Sequence, residues 1–224
     1  MDWQALWLSV KLSLLTTVVL LIVGPPTAYW LARSRKQLKY LVEGLVALPL
    51  VLPPTVLGFY LLLALGPRGP VGRLTKELFG STLPFSFWGL VVASVVYSLP
   101  FCVQPLIASF EQIDPAYFEA ARVMGSGTAE TFLKVAVPMA LPGLINAAVL
   151  SFAHTLGEFG VVLMIGGNIP GRTRTVSISI YDAVQGLDYA AANKMGALLL
   201  AVSLCVLTVA YAVTKRMWSV WPGL

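Results

Sequence analysis

Three groups of residues in this chain are of types that do chemistry. Glu158 is a carboxylate inside an apolar stretch, with His154 one helical turn before it. At that spacing the two side chains can form a satisfied polar pair or relay a proton. Arg172 and Arg174 close a segment that begins Asn168-Ile169-Pro170-Gly171. They can meet an anion, the acidic rim of another protein, or solvent alone. The third group is Glu119-Ala120-Ala121, then Gly125, then Val135-Ala136-Val137-Pro138 at the far end of a polar stretch.

None of these groups builds a hydrolytic or redox centre. The chain has no Gly-x-x-x-x-Gly-Lys-[Ser/Thr] phosphate loop, and Gly125-Ser126-Gly127 is too short to replace one. It has no His-Glu-x-x-His, cysteine cluster or Gly-x-Ser-x-Gly. One histidine and two cysteines supply no ligand set for zinc or haem. The chain is therefore expected to be no enzyme, with no catalytic residue, no metal and no cofactor of its own.

The elements that must position these residues follow from composition. Of 224 residues, 58% are hydrophobic and 11% charged, with a mean hydropathy of +0.82. Soluble domains carry about 25% charged residues. So few charges cannot cover a water-facing surface, and lipid is the expected solvent. The net charge of +5 does not point to nucleic acid, because the cations sit at the ends of apolar runs, as in Arg33, Arg35, Lys36 and Lys39, then Lys215 and Arg216. Lys11 is expected at the membrane interface with its chain reaching for water. Cys102 and Cys205 lie in apolar runs and read as buried thiols. The first apolar run is too long for a signal peptide and is expected to remain a helix.

A helix crossing lipid needs about 20 apolar residues, because unpaired backbone groups cannot be left in hydrocarbon. Five segments qualify, at about 6–32, 40–65, 86–110, 138–165 and 190–214. The chain thus reads as one all-α, polytopic membrane domain over 1–224. Pro25-Pro26, Pro49, Pro53-Pro54, Pro100 and Pro105 interrupt the first three segments. Each removes a backbone donor; the result is a packing kink or a broken helix lining a pathway. The connection at 66–85 is long and rich in glycine and proline, and 176–184 is half apolar and too short to span. That stretch is expected to lie at the interface or dip in as a short helix.

Charge alone does not orient the bundle. Placing 33–39, 111–137 and the C-terminal end in the cytoplasm puts Arg33, Arg35, Lys36, Lys39, Arg122, Lys134, Lys215 and Arg216 there. Lys11, Arg68, Arg73, Lys76, Arg172, Arg174 and Lys194 fall on the other side. The balance leans only through the four cations crowded into 33–39.

The polar stretch 111–137 has its own helical grammar. Asp114-Pro115 reads as an N-cap followed by proline at the first helical position. A helix over 115–124 would stop at Gly125, where a left-handed residue is cheapest as glycine. Tyr117, Ala121 and Met124 would share a face, and Glu119 would sit near the positive end of its helix. A second short helix is expected from Ser126 or Thr128 into Val137, with Pro138 marking the passage into the fourth span. Small Ala120 and Ala121 would let a partner approach closely.

This order of residues closely resembles the EAA loop of bacterial ABC importer permeases, with Val135 and Val137 where Ile and Leu are usual. Leu48-Pro49-Leu50-Val51-Leu52-Pro53-Pro54-Thr55-Val56-Leu57-Gly58 resembles the corresponding segment of molybdate permeases. So do Leu156-Gly157-Glu158-Phe159-Gly160 and Asn168-Ile169-Pro170-Gly171-x-Thr173-Arg174-Thr175. The resemblance spans nearly the whole chain.

It implies a MetI-like type I importer permease that moves molybdate, or tungstate, inward by alternating access. Sulfate permeases are close relatives, so a sulfate or thiosulfate permease is the alternative. The loop would be cytoplasmic and would couple to an ATPase through Glu119, Ala120, Ala121, Gly125 and Pro138. That orientation puts the N-terminus outside a bacterial inner membrane and the C-terminus in the cytoplasm. The partners implied are a second copy of the chain, two ATP-binding cassette subunits holding ATP and Mg, and a periplasmic or lipid-anchored oxyanion-binding protein. Pro53, Pro54, Gly157, Glu158 and Gly160 are the pathway or gate candidates, and Arg172 and Arg174 the candidates for contact with anion or binding protein. Glu158 would repel an oxyanion, so packing, the dimer interface or the gate suits it better. An ATP-independent secondary transporter and a non-transporting scaffold are the readings from other classes. The first would be expected to show internal repeats, and the second has no use for broken helices.

Overall fold

The computed structural model describes the backbone of residues 1–220 and the side chains of residues 1–209, 211 and 212. The side chains of Lys215 and Arg216 lie outside the described residues. Among the described residues the chain forms helices joined by turns, as expected of an all-α membrane bundle.

The helix α1 (Trp3–Arg33) starts at Asp2, whose carboxylate accepts from the Ala5 amide at 2.9 Å. It runs through Pro25 and Pro26 without a break. The other long central helix, α5 (Phe87–Glu111), starts at Ser86 and also contains its two prolines, Pro100 and Pro105. Between them lie α2 (Leu38–Val51), α3 (Pro54–Leu65) and α4 (Pro70–Phe79). The polar stretch holds α6 (Pro115–Val123), α7 (Thr128–Thr131), a π-helical turn (Phe132–Ala136) and α8 (Val137–Met139). The chain finishes with α9 (Leu141–Gly157), α10 (Gly160–Gly166), α11 (Val176–Gln185) and α12 (Tyr189–Val220).

Helices α1, α5 and α9 pack on one another and form the centre of the bundle. Two apolar clusters lie along them. Leu20, Leu31, Val103, Leu106, Phe110 and Phe118 form the one toward the polar stretch. Leu12, Leu57, Leu90, Val161, Ile165 and Ile178 form the one at the opposite end. Close contact in lipid has no hydrophobic drive behind it, so it rests on small side chains and interhelical hydrogen bonds.

Among the described residues the helices depart from the five expected spans in two places. Three helices are long and apolar enough to cross a membrane alone: α1, α5 and residues Tyr189–Val209 of α12. The count reaches five only when each of two sharply bent pairs is taken as one span. The segment 40–65 is not a single kinked helix: α2 and α3 turn by 117° across Leu52-Pro53. Proline forces the residue before it out of the helical region, and Leu52 and Pro53 are accordingly extended, with ψ of 136° at both. The segment 138–165 is likewise broken. Residues Thr128–Met139 continue as one arm, then turn by 76° into α9, and α9 itself ends before Glu158. The connection 66–85 contains α4, and 176–184 is the short helix α11. Cys102 is buried as expected, whereas Cys205 is exposed on α12, facing away from the packed helices.

Candidate functional site

At one end of the bundle the polar stretch is built as its sequence grammar requires. The Asp114 carboxylate accepts from the Ala116 amide at 2.8 Å, and Pro115 opens α6. The helix stops in a Schellman arrangement. The Ser126 amide donates to the Ala121 carbonyl and the Gly125 amide to the Arg122 carbonyl, both at 3.0 Å. Gly125 has φ of +83°, where any side chain is disfavoured.

An aromatic latch holds this element on the bundle. Phe118 is buried among Tyr29 on α1, Phe110 on α5 and the π-helical turn. The Tyr29 ring lies 5.5 Å from Phe110, 6.2 Å from Phe118 and 5.1 Å from Phe132. The Arg33 guanidinium sits 4.0 Å from the Phe118 centroid, a cation–π contact. Sequence reading missed this latch. Its signal was Phe118 three residues before Ala121, which together mark the inward stripe of α6.

The latch corrects the expected outer face. Ala121 is 1% exposed and points into the protein, so it offers no surface for a partner. Tyr117 and Met124 face solvent, Met124 at 78% exposure, so the buried stripe of α6 runs through Phe118 and Ala121 and leaves these two outside it. Glu119 and Ala120 are exposed beside them, and Glu119 has no side-chain partner among the described residues. Pro138 is exposed within α8, and the turn toward α9 falls after it, at Ala140. The passage into the fourth span is thus Ala140-Leu141-Pro142, not Pro138. Glu130 and Lys134 pair at 2.7 Å on the exposed side. The hydrogen bond and charge of Lys134 hold the Glu130 carboxyl below its ordinary value, and Glu130 in turn raises Lys134.

The second candidate region is where the broken helices meet. An added Cβ on Gly160 would lie 2.7 Å from the Pro54 Cβ, so the start of α10 rests directly on the start of α3. One turn later Gly58 meets Met164 in the same way, at 2.8 Å. The break at Leu52-Pro53 and the break at Glu158-Phe159 are therefore side by side. Irregular backbone at membrane depth is tolerated where it is buried in protein or lines a polar path. Pro53 is exposed and Gly157 is exposed with open space around it, so neither is part of that contact.

Glu158 is 4% exposed. Ser94 Oγ on α5 donates to its Oε2 at 2.9 Å, and Oε1 has no hydrogen-bond partner among the described residues. His154 does not bond Glu158. Its Nδ1 lies 2.9 Å from Ser98 Oγ, and its ring stacks on Phe101 with centroids 3.8 Å apart. Ser98 also meets Thr155 Oγ1 at 2.9 Å. Ser94 and Ser98, one turn apart on α5, thus separate the two groups that the sequence spacing had paired.

The two arginines part company. Arg174 Nε donates to Asn168 Oδ1 at 2.7 Å, and Asn168 Nδ2 reaches both Asp182 oxygens, at 3.0 and 2.8 Å. Arg174 Nη2 stands 3.4 Å from Asp182. Its charge is spent inside the protein, and it is no free anion contact. Arg172 remains exposed. Among the described residues no cluster of His, Cys, Asp or Glu could hold a metal ion.

The profile of the family described as "Binding-protein-dependent transport system inner membrane component" matches residues 24–219. The chain belongs to that family. This permease is 56% identical over 211 residues to the molybdenum transport system permease protein ModB of Azotobacter vinelandii, covering 94% of this chain and 93% of that one. It is 37% identical over 220 residues to ModB of Escherichia coli strain K12, covering 98% of this chain and 93% of that one. Its fold matches a chain of a bacterial alginate ABC transporter solved with an alginate-bound periplasmic protein, with a TM-score of 0.76 at 19% identity over 96% of this chain and 78% of that one. It also matches the inward-facing MetNI methionine ABC transporter, with a TM-score of 0.72 at 18% identity over 96% and 95%. The permease is a multi-pass membrane protein of the ModB type, with the fold of the MetI-like importer permeases.

Proposed function

We propose that this permease is the membrane-spanning subunit of an ATP-driven importer of molybdate. The observation that carries the reading is the exposed Glu119 on a helix whose other face is latched to the central helices through Phe118 and Tyr29. A partner that moves this element moves α1 and α5 with it. The molybdenum assignment is taken from the curated relatives that cover nearly the whole chain.

In this reading two copies of the permease enclose a pathway on their two-fold axis, since one small bundle makes a poor two-sided gate. Two ATPase subunits, carrying ATP and Mg, dock on the paired α6 elements in the cytoplasm. An oxyanion-binding protein docks on the opposite face, which puts the N-terminus outside and the C-terminus in the cytoplasm. Closure of the ATPase pair draws the two α6 elements together, the helices tilt, and the pathway opens outward. Hydrolysis reverses the tilt. Glu119, Ala120 and the Gly125 turn form the coupling surface, with Ala121 and Phe118 fixing it from inside. Pro54, Gly160 and Glu158 sit where the two broken spans meet, and a hinge there would let α3 and α10 move as a pair. Glu158 is a packing and gate residue in this scheme, because a carboxylate repels an oxyanion.

The test is uptake into proteoliposomes holding the permease, its ATPase and its binding protein. Labelled molybdate is expected to accumulate only with ATP, and tungstate is expected to compete. Accumulation without ATP would sink the importer assignment. Sulfate uptake that excess molybdate leaves unchanged would replace molybdate by sulfate as the substrate.

A further inference from the structure

Lys11 stands in an unusual place. The exposed stripe of α1 runs Trp7, Leu14, Val18 and Ile22, all large and apolar, and Lys11 lies within it. It is eight residues along α1 from Trp3, or about 12 Å at helical rise. A cation on a lipid-facing stripe is costly unless it reaches water or meets an anion. The Lys11 Nζ meets no carboxylate among the described residues; its one partner there is the face of Phe87, 4.9 Å from the ring centroid.

It opens instead on a cleft of about 560 Å³ between the first turns of α1, the start of α5 and the 168–174 loop. Gln4, Trp7, Lys11, Phe87, Trp88 and Arg172 line it. Arg172 is the second cation there, and it too has no carboxylate partner among the described residues. Asp2, the nearest acid in sequence, is occupied by the Ala5 amide and by Ser179 Oγ at 3.2 Å. Two unneutralised cations from different elements therefore converge on one cleft. Trp7 and Trp88 stand exposed at its rim, 69% and 61%, and tryptophan is the residue of the headgroup level of a bilayer.

We propose that this cleft binds the phosphodiester headgroup of an anionic phospholipid, in the leaflet opposite the α6 end. Lys11 and Arg172 clamp the phosphate, and an acyl chain lies along Leu14, Val18 and Ile22. The apolar stripe continuing below the cations favours a lipid over a free tetrahedral anion, which would use the cations and leave the stripe unexplained. The binding site does not depend on what the permease transports.

The test uses the intact transporter in nanodiscs and reads bound lipid by native mass spectrometry after detergent exchange. Phosphatidylglycerol is expected to be retained about 10- to 30-fold more strongly than phosphatidylcholine, as two interfacial cations would give. Lys11→Gln with Arg172→Gln is expected to erase that preference. Lys11→Arg with Arg172→Lys is expected to keep it, which separates loss of charge from loss of fold. Glycerol phosphate and molybdate, added free, are expected not to displace the lipid. Equal retention of the two lipids, or a preference unchanged in the Gln variant, would overturn the site. Displacement by either free anion would overturn its assignment to lipid.

Discussion

Two glutamates of this permease, Glu119 on α6 and Glu158 at the break after α9, have opposite surroundings. Glu119 stands in solvent with no internal partner, on a helix whose other face is sealed by Phe118 and Ala121. Glu158 is almost fully buried, tied to Ser94 by one oxygen and left without a partner on the other. The first arrangement costs the fold nothing and presents a charge outward. The second carries a desolvation cost that the fold has to offset elsewhere. An exposed carboxylate on a rigid support suits contact with another protein. A half-satisfied carboxylate at a helix break suits a place where packing is meant to change. The contrast also locates stiffness: the loop end is over-determined by an aromatic cluster, and the membrane break rests on a few glycine–side-chain contacts.

That contrast can be broken first at the latch. Phe118→Ala removes the ring that Tyr29, Phe110 and Arg33 enclose, and should cost about 3–5 kcal/mol of local stability. Hydrogen exchange is the measurement. Amides in α6 and the π-helical turn should lose protection while those of α1 and α5 keep it. Unchanged protection in α6 would mean that the loop is held by something other than the ring cluster.

The break should respond less. Gly160→Val drives a branched side chain into Pro54, where even a Cβ has only 2.7 Å, at about 1–3 kcal/mol. The expected result is a lower melting temperature in detergent together with lost uptake, whereas Gly157→Val, with open space around it, should melt as wild type. Equal melting of the two variants would show that the α3–α10 contact does not carry the break.

Legibility in the sequence divides along the same line. Asp114, Pro115 and Gly125 announced their helix because capping and left-handed φ are local properties, set within a few residues. The Leu52-Pro53-Pro54 interruption was visible for the same reason. Its 117° angle was not, since that depends on α10 coming to rest on Pro54. Ala121 was assigned to the outer face because helical periodicity tells which residues share a face, not which face is inward. The His154–Glu158 pair failed because Ser94 and Ser98, about sixty residues earlier, outcompeted a neighbour one turn away. Arg174 was misread for want of Asp182. What escaped is what depends on side chains meeting across long sequence separation.

At the loop end, Gly125→Val should cost about 1–2 kcal/mol, because a β-branched residue must be held at φ of +83°. Nothing lies within 4 Å of an added Cβ, so the effect is backbone strain alone. Uptake and co-purification with the ATPase should both fall while the bundle stays folded. Asn at the same position, which tolerates the left-handed region, should restore most of the function. Failure of Asn to restore it would point to a partner touching Gly125 directly rather than to the turn.

The smallest effect is expected at Lys134. Its partner Glu130 has a carboxyl held below the ordinary 4.5 by the hydrogen bond and charge of Lys134. Stabilisation from a lowered acid is complete above the unfolded value and is lost as pH falls through the folded one. Lys134 is raised above 10.5, so its share is complete below that value and is lost only as pH rises through the raised one. Both contributions are therefore flat between about pH 5 and pH 10, and both groups are exposed, where solvent screens the pair. Lys134→Gln should shift the melting temperature by less than about 1 °C at pH 7. A drop of several degrees would place the pair inside the loop's own fold. Glu119 would then be the one exposed carboxylate of α6 and α7 free of an internal partner among the described residues, and the charge offered to an ATPase would narrow to a single residue.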